Sequence, residues 1–204
     1  MLHRSHQGLR AFAGPLILLS ASSAALAGDE AAEAPFYSRW WDSAVSTTTE
    51  LAKSGDWNAY FPTKIYHLPI AYTAEQRNRY NESPMPAFGF GRSQYLADGD
   101  WQGLYAMGFK DSNEKPSWMV GYARSWLWDM PRLNGAYYGL GFTAFLMARE
   151  DYANYTPFPA ALPTFTLGFK NAALETAFVP GGKGNGNVFF IWFKLNEKER
   201  PWQP

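Results

Sequence analysis

The sequence predicts an all-β protein: an eight-stranded antiparallel transmembrane β-barrel preceded by a short amphipathic α-helix. Three observations carry that prediction. The chain opens on an export leader, its aromatic content exceeds what a soluble core needs, and it reads as strands and turns. Aromatic residues make up 18 % of the 204 positions and nine of them are tryptophan. Amphipathic rings collect where a membrane protein crosses the two bilayer interfaces. A helix crossing hydrocarbon needs about twenty consecutive apolar residues, and no such stretch is present. The other way to satisfy every backbone N–H and C=O in lipid is a closed barrel.

Taken in order, residues 1–27 have the form of a secretory signal peptide. Arg4 and Arg10 supply a basic start, Ala11 to Ala25 an apolar and small-residue run, and Ala25-Leu26-Ala27 a small-residue cleavage site. Pro15 interrupts the run, which is too weak to span a membrane. Losing Arg4 and Arg10, and no acid, leaves 16 of the 18 basic side chains against 18 acidic ones. A net charge near −2 gives no field for nucleic acid. The absence of cysteine excludes disulfides and thiolate chemistry. Residues 28–34 are small and acidic and are expected to form a flexible N-terminus.

Residues 35–53 differ in pattern from the rest of the chain. Phe36, Trp40, Ala44 and Val45 recur near helical spacing, with Arg39, Asp42, Ser43 and Ser46 on another side. Pro35 suits a first helical position. The segment reads as an interfacial helix with Trp40 and Trp41 as anchors.

The barrel is expected over residues 57–195, with strands at 57–72, 87–96, 101–110, 117–127, 136–149, 161–170, 173–179 and 188–195. Turn signals separate them, among them Ala97-Asp98-Gly99-Asp100, Asn171-Ala172 and the run from Pro180 to Asn187. An even strand number puts both chain ends on one side. The longer connections, 73–86, 111–116, 150–159 and 180–187, then share the other side, as in outer-membrane barrels. Residues 196–204 form a charged tail.

Strand alternation departs from the usual apolar-out, polar-in rule. Tyr138, Leu140, Phe142, Ala144, Leu146 and Ala148 make one face of the fifth strand. The other face is Gly139, Gly141, Thr143, Phe145 and Met147, small or apolar rather than charged. Such an inner wall predicts a dry slot able to hold a hydrocarbon chain. Pro62 and Pro69 fall within the first strand, Pro84 just before the second, Pro163 in the sixth and Pro180 after the seventh. Proline cannot donate to a ladder, so each opens a gap in strand pairing. A lateral doorway for a lipid tail is one reason for such gaps.

Candidate chemistry is concentrated in few residues. Gly103 to Lys110 is a strand that stops at Asp111-Ser112, and His67 lies on an earlier strand; His3 and His6 are in the leader. One imidazole, one hydroxyl and one carboxylate at strand ends are the groups acyl transfer uses.

The run Gly103-Leu104-Tyr105-Ala106-Met107 with Phe109-Lys110-Asp111-Ser112 resembles the PagP family of outer-membrane lipid A palmitoyltransferases. Arg79-Tyr80-Asn81-Glu82, Gly139-Leu140-Gly141-Phe142-Thr143-Ala144, Leu162-Pro163, Pro180-Gly181 and Asn185-Gly186-Asn187-Val188 keep the family's order. The resemblance implies an eight-stranded barrel that moves a palmitoyl chain from a glycerophospholipid donor to a hydroxyl on a lipid A acceptor. It implies no ATP, coenzyme A or metal, and so no cofactor; the barrel is expected to act as a monomer. It also implies that His67, Asp111 and Ser112 are the essential outward-facing residues and that Arg149 contacts lipid A at the outer rim. Pro62, Pro84, Pro163 and Pro180 match the prolines flanking two lateral gateways. In this reading His67 is the general base and Asp111 orients the imidazolium. Ser112 either forms an acyl-enzyme or hydrogen-bonds the carbonyl, since no Gly-x-Ser-x-Gly elbow surrounds it.

Two features depart from the family. Ala123 stands where the family has a glycine at the floor of its acyl slot, which predicts a preference below sixteen carbons or a loosened one. The chain also runs past Phe193 and Leu195 into the charged tail instead of ending on an aromatic. A non-catalytic adhesin or structural barrel, and a soluble lipid-binding barrel, are the competing readings.

Overall fold

Eight antiparallel strands succeed one another in chain order and close when β1 pairs with β8. The computed structural model describes residues 36–183 and 186–201. The leader, the expected flexible N-terminus, the Trp40 side chain and Trp202-Gln203-Pro204 lie outside the described residues. The strands are β1 (Asp56–His67), β2 (Phe88–Tyr95), β3 (Trp101–Lys110), β4 (Pro116–Asp129), β5 (Ala136–Ala148), β6 (Phe158–Phe169), β7 (Ala172–Val179) and β8 (Val188–Asn196). One helix, α1 (Phe36–Ser54), precedes them, and a second, α2 (Ala74–Arg79), sits in the β1–β2 connection. Among the described residues, no helix is long and apolar enough to cross a membrane.

Side-chain alternation places the apolar wall outside. Phe88, Phe90, Trp118, Trp126, Trp128 and Leu140 are exposed on it, which is the surface lipid solvates in a membrane barrel. The C-terminal part of α1 docks against β2 and β3 and buries Leu51 completely, while Trp41 and Val45 stay exposed. Arg92 caps this contact. Its guanidinium stacks 4.4 Å from the Trp57 ring and donates to the Lys53 carbonyl oxygen at 3.0 Å.

Several boundaries differ from the sequence reading. β1 ends at His67 rather than at residue 72, so Pro69 is in a turn and not in the strand. There the chain folds back, Ala71 N–H bonding the Leu68 carbonyl oxygen at 3.0 Å, which takes Tyr72 off the strand. The connection expected to be plain loop contains α2. Its start is a capping box, with the Thr73 side chain accepting from Gln76 N–H and the Gln76 side chain accepting from Thr73 N–H. β6 begins at Phe158, three residues early, because it pairs with β5 along its whole length. β8 takes in Asn196, and the tail folds back across the short-turn end. There Arg200 donates to Asp129 and to the Gly99 and Leu127 carbonyl oxygens.

The apolar slot does not run the whole length of the barrel. In the half nearest the short turns the barrel is filled by its own polar side chains. Glu175 accepts from Lys194 Nζ at 2.6 Å and from Trp192 Nε1 at 2.8 Å, all three buried. Lys194 Nζ also lies 3.3 Å from the centre of the Trp101 ring. Paired charges in a dry interior are tolerated when every donor and acceptor is met, and removing one partner strands the other. Lys194→Met is therefore expected to destabilise the barrel by about 3–5 kcal/mol, read from urea unfolding in lipid vesicles. The double variant Lys194→Met/Glu175→Leu should recover most of the loss.

Two seams of the barrel are incompletely paired. β1 pairs with β2 only from Asp56 to Tyr60, and β6 pairs with β7 only from Thr164 to Phe169. Along the first seam the β1–β2 connection returns to the wall near the long loops. Ile65 N–H bonds the Glu82 carbonyl oxygen at 2.8 Å and Lys110 N–H that of Pro84 at 2.8 Å. That leaves Phe61 to Lys64 as the open stretch of β1. Pro62 lies within it and Pro84 on the returning connection, both fully buried. Along the second seam, Pro163 is the last β6 residue before pairing with β7 begins, and Pro180 directly succeeds β7.

Candidate active site

An irregularity in β1 aims the imidazole. Asn58, Tyr60 and Pro62 face the interior in strict alternation, which continued unbroken would turn Lys64 and Tyr66 inward. The pairing with β8 instead slips between Pro62 and Lys64. This bulge absorbs Thr63, and Ile65 and His67 become the buried residues. Proline contributes no ladder donor, so the break falls beside Pro62.

Inside the long-loop half lies a cavity of about 300 Å³, at the lower end of the range for small-molecule pockets. Met107, Phe109, Met119, Phe145, Met147 and Phe190 form its apolar shaft. Phe158, Ala160 and Leu162 of β6 and Ala177 and Val179 of β7 also line it, so the cavity runs beside the unpaired seam. Tyr105, the deepest lining residue of β3, reaches over β4 to Thr143 of β5, 2.6 Å between their hydroxyls. Gly121 makes room for that ring, since a Cβ there would stand 2.9 Å from the Tyr105 hydroxyl. Ala123 is the cross-strand partner of Thr143 and packs in the buried core beside the cavity; it is not among the lining residues.

The mouth carries the polar groups. His67, only 3 % exposed, lies with Nε2 3.3 Å from Ser112 Oγ. Tyr80 stacks on the imidazole, with ring centres 4.8 Å apart and planes 9° from parallel. Tyr72 meets it edge-on at 4.9 Å. Burial, with Tyr80 beside it, holds the Tyr72 phenol above the usual tyrosine range. The phenol therefore stays protonated and donates to the Gly186 carbonyl oxygen at 2.7 Å. These contacts leave the imidazole ring little freedom to turn.

Asp111 stands near this pair but does something else. Its Oδ1 accepts from the N–H groups of Asn113 and Lys115, at 2.9 and 3.0 Å, and bends the β3–β4 loop around itself. Its Oδ2 lies 3.4 Å from Arg149 Nη2. Arg149 is also held by Asp151, at 2.8 Å from Nη2 and 3.0 Å from Nε. The carboxylate facing the imidazole is that of Glu82, with Oε1 4.0 Å from His67 Nδ1. Structure thus brings His67 and Ser112 together, as the sequence expects, and assigns Asp111 to the loop and to Arg149. Tyr72, Tyr80 and Glu82 have no role in the sequence reading. The signal for two of them is the run Arg79-Tyr80-Asn81-Glu82, which enters that reading by resemblance only.

An apolar exterior, a closed barrel, an apolar shaft and an imidazole–hydroxyl contact over its mouth define a membrane-type barrel equipped to handle lipid. Residues 47–194 match the family described as antimicrobial peptide resistance and lipid A acylation protein PagP. The chain belongs to the PagP family. It is 36 % identical over 156 residues to the lipid A acyltransferase PagP of Methylobacillus flagellatus, covering 76 % of this chain and 83 % of that one. Against the lipid A acyltransferase PagP of Serratia proteamaculans the identity is 42 % over 135 residues, 66 % and 68 % of the two chains. The lipid A palmitoyltransferase PagP of Escherichia coli O6:K15:H31 is 39 % identical over 139 residues, 68 % and 74 % of the two chains.

Proposed function

We propose that this protein is an outer-membrane acyltransferase that moves a palmitoyl or similar-length chain from a glycerophospholipid to a hydroxyl on lipid A. One observation carries the reading: the His67–Ser112 contact caps an apolar shaft that runs beside an unpaired seam. The donor's tail slides sideways between β6 and β7, past Pro163 and Pro180, and its ester carbonyl comes to rest at the mouth. The acceptor approaches by the second opening, between Pro62 and Pro84. Holding both lipids there turns an encounter of two membrane molecules into a reaction within one site.

The lipid A hydroxyl displaces Ser112 from His67 Nε2 and gives up its proton there as its oxygen attacks the ester carbonyl. Ser112, released, donates to the carbonyl oxygen as negative charge develops on it. Collapse breaks the old ester bond, and the proton on His67 passes to the departing lysophospholipid oxygen. One ester is exchanged for another, so the step needs no activated donor. Asp111 keeps the Ser112 loop in place through its two backbone bonds, and Arg149, 30 % exposed at the mouth, contacts lipid A. The barrel closes on itself and its site is complete within one chain, which supports a monomer. Export to the outer membrane comes after cleavage near Ala27.

Cells producing the protein should carry lipid A with one added acyl chain, seen by mass spectrometry and absent without it. A shaft floored by Tyr105 and Thr143 supports a preference below sixteen carbons, with Ala123 as the cross-strand neighbour of Thr143. Tyr105→Ala should deepen the cavity and shift the added chain to greater length. Clean palmitate addition by the wild-type protein would defeat the length proposal but not the activity.

A further inference from the structure

We infer that Glu82 is the positioning residue that fixes the tautomer of His67, the part that the sequence reading assigns to Asp111; the inference rests on His67 being the base of acyl transfer. His67 Nδ1 is buried and has no hydrogen-bond partner among the described residues. A buried ring N–H left bare is costly, and a base needs its proton on one nitrogen so that the other is free. Here the free nitrogen must be Nε2, which faces Ser112. The proton then sits on Nδ1 and needs an acceptor.

Glu82 is the group placed to provide it. Its carbonyl oxygen is tied to Ile65 N–H, two residues from the imidazole, so the backbone is anchored. Its Oε1 lies 4.0 Å from Nδ1 and its Oε2 3.2 Å from Lys64 Nζ. Closing by about 1 Å brings Oε1 into hydrogen-bond range, and catalytic contacts commonly tighten only when substrate binds. The other polar side chains around the ring are committed elsewhere, and the Ile65 backbone, which also acts on the imidazole, falls short of a formed hydrogen bond to Nδ1. Asp111 serves Asn113, Lys115 and Arg149, and Tyr72 serves Gly186. Tyr80 presents its ring face. With the ring plane set by the two tyrosines, the tautomer is what remains for Glu82 to decide. When Nε2 gains the acceptor's proton, the same carboxylate faces the imidazolium charge.

The test uses the full-length barrel in detergent micelles, with a phospholipid donor and lipid A acceptor. Glu82→Ala is expected to lower kcat about 100-fold with KM within twofold, and Glu82→Gln, which keeps an acceptor oxygen, to lose about tenfold. In ¹⁵N-histidine spectra, with His67 signals identified by their loss in His67→Ala, Glu82→Ala should move the ring from the Nδ1–H form to a mixture. Lys64→Ala breaks the same ion pair from its other side and should keep activity within twofold. Glu82→Ala with unchanged kcat, an unchanged tautomer, or a loss confined to KM overturns the assignment. Heat-modifiable migration on gels reports folding. If Glu82→Ala does not fold, Glu82→Gln decides by its kcat alone, full activity refuting the role. Activity surviving in His67→Ala would instead refute the base itself, whatever Glu82 does.

Discussion

His67→Ala should lower the rate of acyl transfer by about 10³-fold, while the variant keeps the heat-modifiable migration of a folded barrel. Loss of a general base removes a proton acceptor in the transition state and leaves lipid binding largely intact. The fall should therefore be in kcat, with KM for the phospholipid little changed. Burial argues for the same result. The imidazole is 3 % exposed and held between two tyrosines, so solvent does not readily replace it. Ser112 alone, without a base 3.3 Å away, is a neutral hydroxyl with no means of taking the acceptor's proton. An assay of purified protein with defined phospholipid and lipid A measures this directly. A His67→Ala protein that folds and acylates at the wild-type rate would end the assignment.

Inserting one alanine after Ile65 should be as damaging, although it removes no side chain. Side chains alternate with a period of two along a strand, so one added residue turns every later one to the other face. Tyr66 would enter the barrel and His67 would face lipid, with an expected loss of about 10³-fold. Deleting Thr63 gives the opposite expectation. Pairing with β8 already slips at that residue, and its removal restores plain alternation with Ile65 and His67 still inward. Activity should stay within a few-fold of the wild type. If both variants fold and show equal activity, the bulge has no part in aiming the imidazole.

The resemblance motif and the turn signals made the strand order legible, because each strand is strongly patterned and has glycine, proline or asparagine near its ends. Strand ends were less so. Residues 68–72 carry strand-compatible side chains, yet the chain turns at Leu68 and returns Tyr72 to the imidazole. The capping box at Thr73 is readable, with glutamine three residues on, although the segment around it reads as loop. His67, Ser112 and Asp111 stand out by residue type. Glu82 does not, since its position beside His67 depends on a connection that leaves the wall and rejoins it at Ile65. The polar filling around Glu175 and Lys194 is equally hidden. Their contact joins two adjacent strands with a register that alternation alone does not specify.

By itself the sequence determined the aromatic exterior, the number and order of strands and the residue types available for acyl transfer. These are local or compositional properties, written in neighbouring residues. The tertiary structure decided where the shaft stops, which carboxylate meets the imidazole and which way His67 points. Each of those depends on contacts between segments distant in sequence: a ring that spans β4, a connection that rejoins the wall at Ile65, and one residue of slip in pairing. Closure of β1 against β8 sets the last of these, and no single segment contains that information.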